Sequence, residues 1–109
     1  VSDLCKYYVL EGHSPVECDL NTWQKSIRNG PTRVARTDIT DKIIVSTVFL
    51  GLNHRYLSEG PPILFETMTF GGSRNETMYR YSSWDDAEAG HNAEVKRVRQ
   101  ALKVLENKD

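Results

Sequence analysis

The run from Ile43 to Gly72, IIVSTVFLGLNHRYLSEGPPILFETMTFGG, constrains the fold more than any other stretch of this chain. It contains two apolar segments, Ile43–Leu52 and Ile63–Phe70, separated by a polar loop that ends in Gly60-Pro61-Pro62. Both segments are dense in β-branched and aromatic residues, which pack well on a pleated surface. They are expected to be paired antiparallel neighbours. The connection is too long for a tight turn and carries His54, Arg55, Tyr56 and Glu59. Loops held by a rigid sheet commonly present binding groups.

The flanking sequence supplies more strands and two helices. Lys6–Leu10 reads as a short strand, and Glu11 to Pro15 as a turn cluster. Asp19 is the expected N-cap of a short helix whose apolar face is Leu20, Trp23 and Ile27. Asn29-Gly30-Pro31 ends it. Thr32–Ile39 is a second strand, turned at Thr40-Asp41-Lys42 into Ile43. After Ile63–Phe70, the Gly71 to Asn75 turn leads to a last strand, Thr77–Ser82. Ser83-Trp84-Asp85-Asp86 then has the pattern of a capping box, with Asp in place of the usual Glu. The helix it opens is predicted to reach Glu106. Trp84, Ala87, His91, Val95, Val98, Leu102 and Leu105 form its narrow apolar stripe, of which Trp84, Val95, Val98 and Leu102 are expected to be buried against the sheet or a partner chain. Acids precede bases along it, as the helix dipole prefers. Such a helix, roughly 36 Å long, outruns a small sheet, so its far end is expected to project or to meet a partner. The expected class is α+β: an antiparallel sheet of four or five strands with one short helix and the long C-terminal helix on one face, in a single domain over residues 1–109.

Composition narrows the function classes. Of 109 residues, 39% are apolar and 27% charged, a balance of globular and not of disordered chains. The net charge of −1 argues against a dedicated nucleic-acid binder. No apolar run approaches the ~18 residues of a membrane span, and no signal peptide is evident, with Val1 read as a start codon translated literally. Cys5 and Cys18 read as free thiols in a reducing cytosol, or as a bridge in an oxidising setting. They lack metal-site spacing, as do the histidines, so no metal or cofactor is expected.

The candidate site residues are His54 and Arg55 in the long loop, with Glu66, Tyr79 and Arg80 on neighbouring strands. Glu66 alternates with Leu64, Met68 and Phe70. It is buried if that face is the core, and exposed if Ile63, Phe65, Thr67 and Thr69 form the core instead. Arg80 offers a fixed cation to a phosphate or carboxylate, or simply pairs with Glu66 across strands. Tyr79 and Tyr81, with Arg74, Lys96, Arg97 and Arg99, suit an aromatic-flanked basic pocket, or pack under the helix. His91 on the helix stripe reads as a packed, hydrogen-bonded histidine or as a functional group.

Three segments, Ser46–His54 (STVFLGLNH), Gly60–Gly72 (GPPILFETMTFGG) and Arg80–His91 (RYSSWDDAEAGH), resemble a family of small proteins encoded by tailed phages, prophages and environmental genomes. Its members commonly read STVFLGLDH, GPPLLFETMVFGG and RYSTWEEAEAGH in the same order. Asn53 stands where the usual member has Asp. That family carries no established activity, so the resemblance implies a viral or mobile-element origin and not a reaction. The function expected is stoichiometric binding of a nucleotide signal or a host protein, by a homo-oligomer in the cytoplasm of a bacterial host. The alternatives are an assembly protein without a small ligand, and a small enzyme using Glu66 with His54 or His91.

Overall fold

The computed structural model describes residues 6–53 and 60–106. In chain order the elements are β1 (Tyr7–Glu11), β2 (Ser14–Cys18), α1 (Leu20–Ser26), β3 (Thr32–Asp38), β4 (Ile44–Phe49), β5 (Phe65–Phe70), β6 (Met78–Tyr81) and α2 (Trp84–Glu106). The fold is α+β. Strands β3-β4-β5-β6 form an antiparallel meander with α2 packed on one face, and β1-β2 form a separate hairpin.

The expected pairing of the two apolar segments holds. Val45 lies opposite Thr69, Thr47 opposite Thr67, and Phe49 opposite Phe65. Side chains alternate across a strand, so these six face α2 while Ile44, Ser46, Val48, Glu66 and Met68 face outward. All six inner residues are buried, which settles the orientation of Glu66: its strand turns it away from the helix.

The first hairpin departs from the expectation. The sequence predicts a turn cluster over Glu11 to Pro15, yet the turn is only Gly12-His13, and Ser14–Cys18 is strand β2. Gly12 adopts φ 63°, the left-handed conformation that a tight hairpin turn requires. Pro15 is tolerated because β2 pairs on one side only, so a missing N–H on its open side breaks no ladder. The Lys6–Leu10 segment therefore pairs with β2 and does not extend the main sheet. It is tied to the rest of the fold by a bridge between Tyr7 and Leu52, by bonds from Tyr8 N to Gly51 O of 2.8 Å and from Asn53 N to Lys6 O of 3.4 Å, and by Tyr8 and Leu10, which pack against Phe49, Leu64 and Phe65.

The helices start where their caps predict. Asp19 accepts from Thr22 N at 2.8 Å, and Ser83 Oγ accepts from Asp86 N at 3.1 Å. Helix α1 buries no residue fully, and Leu20 is exposed. Helix α2 buries Ala87, His91, Glu94, Val95 and Val98. Trp84 and Leu102, expected to be buried with Val95 and Val98, are half-buried at the margins of the two apolar clusters, and Leu105, next on the stripe, is 55% exposed because the helix runs past the end of the sheet. The radius of gyration, 15.9 Å, exceeds the ~13 Å of a compact chain of similar length. Gly90 is the close-approach point: a Cβ there would overlap the ring of Tyr81.

The core between helix and sheet is divided. Ile43, Val45, Val95 and Val98 make one apolar cluster, and Phe49, Leu64, Phe65 and Ala87 the other. The buried polar residues Thr47, Thr67, Thr69, His91 and Glu94 share that helix–sheet interface.

Candidate functional site

Among the described residues, two sequence candidates meet in one row on the outer sheet face. Val48, Glu66 and Arg80 lie side by side on β4, β5 and β6. Arg80 Nε donates to Glu66 Oε2 at 3.3 Å, with the Glu66 side chain 19% exposed and that of Arg80 44%. Cross-strand pairing, one of the two readings of Arg80, is thus an observed contact. It leaves Glu66 fixed, with accepting capacity to spare, because a carboxylate offers about four lone-pair sites.

Glu66 also lines a groove of ≈ 390 Å³ whose other walls are Trp23, Ile27, Pro31, Leu50 and Leu52. The sequence alone did not mark this groove, because its walls come from α1, the α1–β3 turn and the end of β4. The wall is held in place. Trp23 Nε1 donates to Leu50 O at 3.0 Å, and its ring lies 5.1 Å from that of Tyr7. Gly51, at φ 73°, permits this approach, since a Cβ there would sit 2.8 Å from Trp23 Nε1. The result is an apolar slot with an aromatic wall and one carboxylate, matched to a flat or apolar group that donates hydrogen bonds.

The opposite sheet face holds a second polar constellation. Thr69 Oγ1 donates to Glu94 Oε2 at 2.6 Å, and Arg74 donates to both carboxylate oxygens, at 3.0 and 2.9 Å. Arg97 adds a bond of 3.2 Å to Oε1. Burial pushes the Glu94 carboxyl up, but the bonds from Arg74, Thr69 and Arg97 outweigh it and hold the group below its ordinary value. Tyr79 accepts from Arg74 Nη2 at 3.1 Å, and Arg97 lies 4.9 Å over its ring. The aromatic-flanked cations anticipated around Tyr79 are therefore present in Arg74 and Arg97, but both point at Glu94. In the sequence Glu94 is indistinguishable from the other acids in the first half of the helix.

His91 sits beside this group. Its Nε2 is hydrogen-bonded to Thr37 Oγ1 and its Nδ1 to Thr47 Oγ1, each at 2.8 Å, and Thr47 is bonded in turn to Thr67 at 2.6 Å. Burial holds its pKa below the ordinary histidine value. His91 is a packed, fully bonded histidine, with hydroxyls as its partners.

The strand period thus separates the sequence candidates. Glu66 and Arg80 face outward beside the groove, and Tyr79 faces the helix. His54 and Arg55 lie outside the described residues. The root of their loop adjoins the groove: Leu52 lines it, and Asn53 Oδ1 accepts from Ile63 N at 2.9 Å, tying the two flanks together. Among the described residues no three His, Cys, Asp or Glu side chains gather to hold a metal. Cys18 is a free thiol whose pKa burial raises, with help from Asp19 and Glu17. Cys5 lies outside the described residues. No described helix is long and apolar enough to cross a membrane.

Comparison of the chain with protein families, curated proteins and solved structures gives no match.

Proposed function

We propose that this protein is a stoichiometric binding module and not a catalyst, and that its outer-face groove seats the base of a small guanine nucleotide. The observation that carries this reading is a preorganised apolar slot with Trp23 as one wall and the fixed, accept-only carboxylate of Glu66 beside it. A nucleobase stacks on aromatic rings whatever its identity. Guanine matches a lone carboxylate best, because its ring N–H and amino group donate side by side. His91 and Glu94, the obvious general acid–base groups, are buried and bonded to the fold, which supports binding over turnover.

The resemblance to phage and prophage proteins supports an accessory role in the cytoplasm of a bacterial host, with a host protein as the further partner. Self-association is part of the same proposal. Phe70 and Met78 are exposed on the outer face and Val104 and Leu105 on the helix end, and a second copy would cover them.

Thermal shift and calorimetric titration with guanine and adenine mononucleotides, cyclic forms included, test the reading. A guanine nucleotide at a hundredfold its dissociation constant should stabilise the fold by about 2.7 kcal/mol. Glu66→Gln and Trp23→Ala should each remove that gain. If no nucleotide shifts the wild type while light scattering shows an assembly, the structural role without a small ligand takes its place.

A further inference from the structure

Strand β3 is an edge of the main sheet: among the described residues it pairs only with β4. Ile39 N donates to Ile43 O at 2.8 Å. Antiparallel ladders alternate bonded and non-bonded pairs, so Ala35 and Thr37 turn their backbone groups toward β4. The N–H and C=O of Arg36 and Asp38 then face outward, where they form a template for another strand.

One flank of α2 overlooks that edge. Gly90, Glu94 and Arg97 meet Tyr81, Thr69 and Tyr79 on the β5–β6 side. His91 meets Thr37 of β3, and Val95 clusters with Ile39 and Ile43. Helical spacing places Asn92, Lys96, Arg99 and Lys103 next outward on this β3-side flank. An open groove of ≈ 440 Å³ runs along them, lined by α2 alone, with Val95 and Gln100 as its other walls and no acidic residue. Arg97 is committed to Glu94, whereas Lys96, Arg99 and Lys103 are in no ion pair among the described residues.

We propose that the free edge of β3, with the cationic flank of α2 above it, docks an extended acidic peptide of a partner protein as a fifth strand of the sheet. Main-chain bonds to Arg36 and Asp38 supply the pairing. One apolar side chain lies toward Val95, and carboxylates on either side of it meet Lys96, Arg99 and Lys103. A second copy pairing antiparallel through its own β3 would set the acidic first half of one α2 beside the basic second half of the other; a dimer by light scattering that the peptide does not dissociate would therefore overturn the peptide proposal in its favour. Nucleic acid would use the cations but not the backbone edge, and the chain's net charge of −1 gives it no wider basic surface. The proposal stands apart from the nucleotide reading, whose groove lies on the opposite face of the sheet.

A fluorescent peptide whose alternate residues are Glu, Val and Glu, with Thr between them, tests this by anisotropy on the full chain. Saturable one-to-one binding that weakens with salt is expected. The double variant Lys96→Glu, Arg99→Glu should weaken it by about tenfold or more, equivalent to ~1.4 kcal/mol. N-methylating the peptide's edge-facing amides, which leaves the protein untouched, should weaken it as much. Binding indifferent to N-methylation would overturn the strand pairing. An oligothymidine that displaces the peptide at lower concentration would point to nucleic acid instead, and no saturable binding at high micromolar peptide would end the proposal.

Discussion

Arg74 grips Glu94 by both carboxylate oxygens, although the Glu94 side chain is wholly buried and that of Arg74 is 27% exposed. A carboxylate in that position is tolerable only while its partners remain, because an uncompensated buried charge is far costlier than a paired one. Arg74→Ala should therefore destabilise the fold by about 3 kcal/mol or more, read as a shift of the urea midpoint at unchanged slope. Glu94→Leu removes charge and demand together and should cost less than Arg74→Ala. The opposite ranking would show that Glu94 is not held chiefly by Arg74.

Acid should weaken the fold in two steps. His91 has a folded pKa below its ordinary 6.5 because burial opposes its charge. The unfolded chain therefore takes up that proton first, and stability falls as pH drops below about 6.5. Glu94 has a folded pKa below its ordinary 4.5. Its contribution is complete above that value and is lost as pH falls through the lower, folded one. Denaturation midpoints measured from neutral pH downward should show both arms. His91→Gln should flatten the upper arm and leave the lower, and an unchanged upper arm would assign it to another group.

Gly90→Ala should destabilise, against the usual gain of Ala over Gly in a helix. Helix propensity favours the change by about 1 kcal/mol, but overpacking against the Tyr81 ring costs about 1–3 kcal/mol. The pair Gly90→Ala with Tyr81→Leu should recover part of the loss, measured as a double-mutant cycle. Additive effects would show that the two positions do not touch.

Val98→Ala and Leu105→Ala separate the packed from the projecting part of α2. Val98 is buried in the cluster with Val45 and Val95, and Leu105 is exposed. Truncating Val98 should cost about 1–3 kcal/mol, and truncating Leu105 less than about 0.5 kcal/mol for the isolated chain. A large cost at Leu105 that grows with protein concentration would reveal a partner copy over the helix end.

Local signals carried much of the fold. The β-branched runs of β4 and β5, the Ser83 cap and the spacing of Ala87, His91, Val95 and Val98 each announce their element within a few residues. Strand β2 was hidden by Pro15, whose effect depends on whether its neighbour bonds on the proline's side. The site was legible only in fragments. Glu66 and Arg80 form a pair because the strand register sets them opposite each other, and the alternation of β5 by itself allowed either face to be the core. Glu94 reads as one more acid in a charged helix, since the arginine that holds it lies twenty positions earlier. Trp23 reads as core, and only the approach permitted by Gly51 makes it a groove wall.

The split core has a consequence for how α2 finds its place. Valines and alanines alone would accept the helix displaced along its axis by one turn, since similar side chains recur at that interval. Hydroxyls cannot be exchanged for methyls so cheaply. Thr37 and Thr47 must meet His91, Thr69 must meet Glu94, and Tyr81 must meet the bare backbone of Gly90. A displaced helix would strand each of these at once. The polar seam therefore works as a set of index marks: it gives the long helix a single axial address, and with it fixes where the overhanging end stands in solvent.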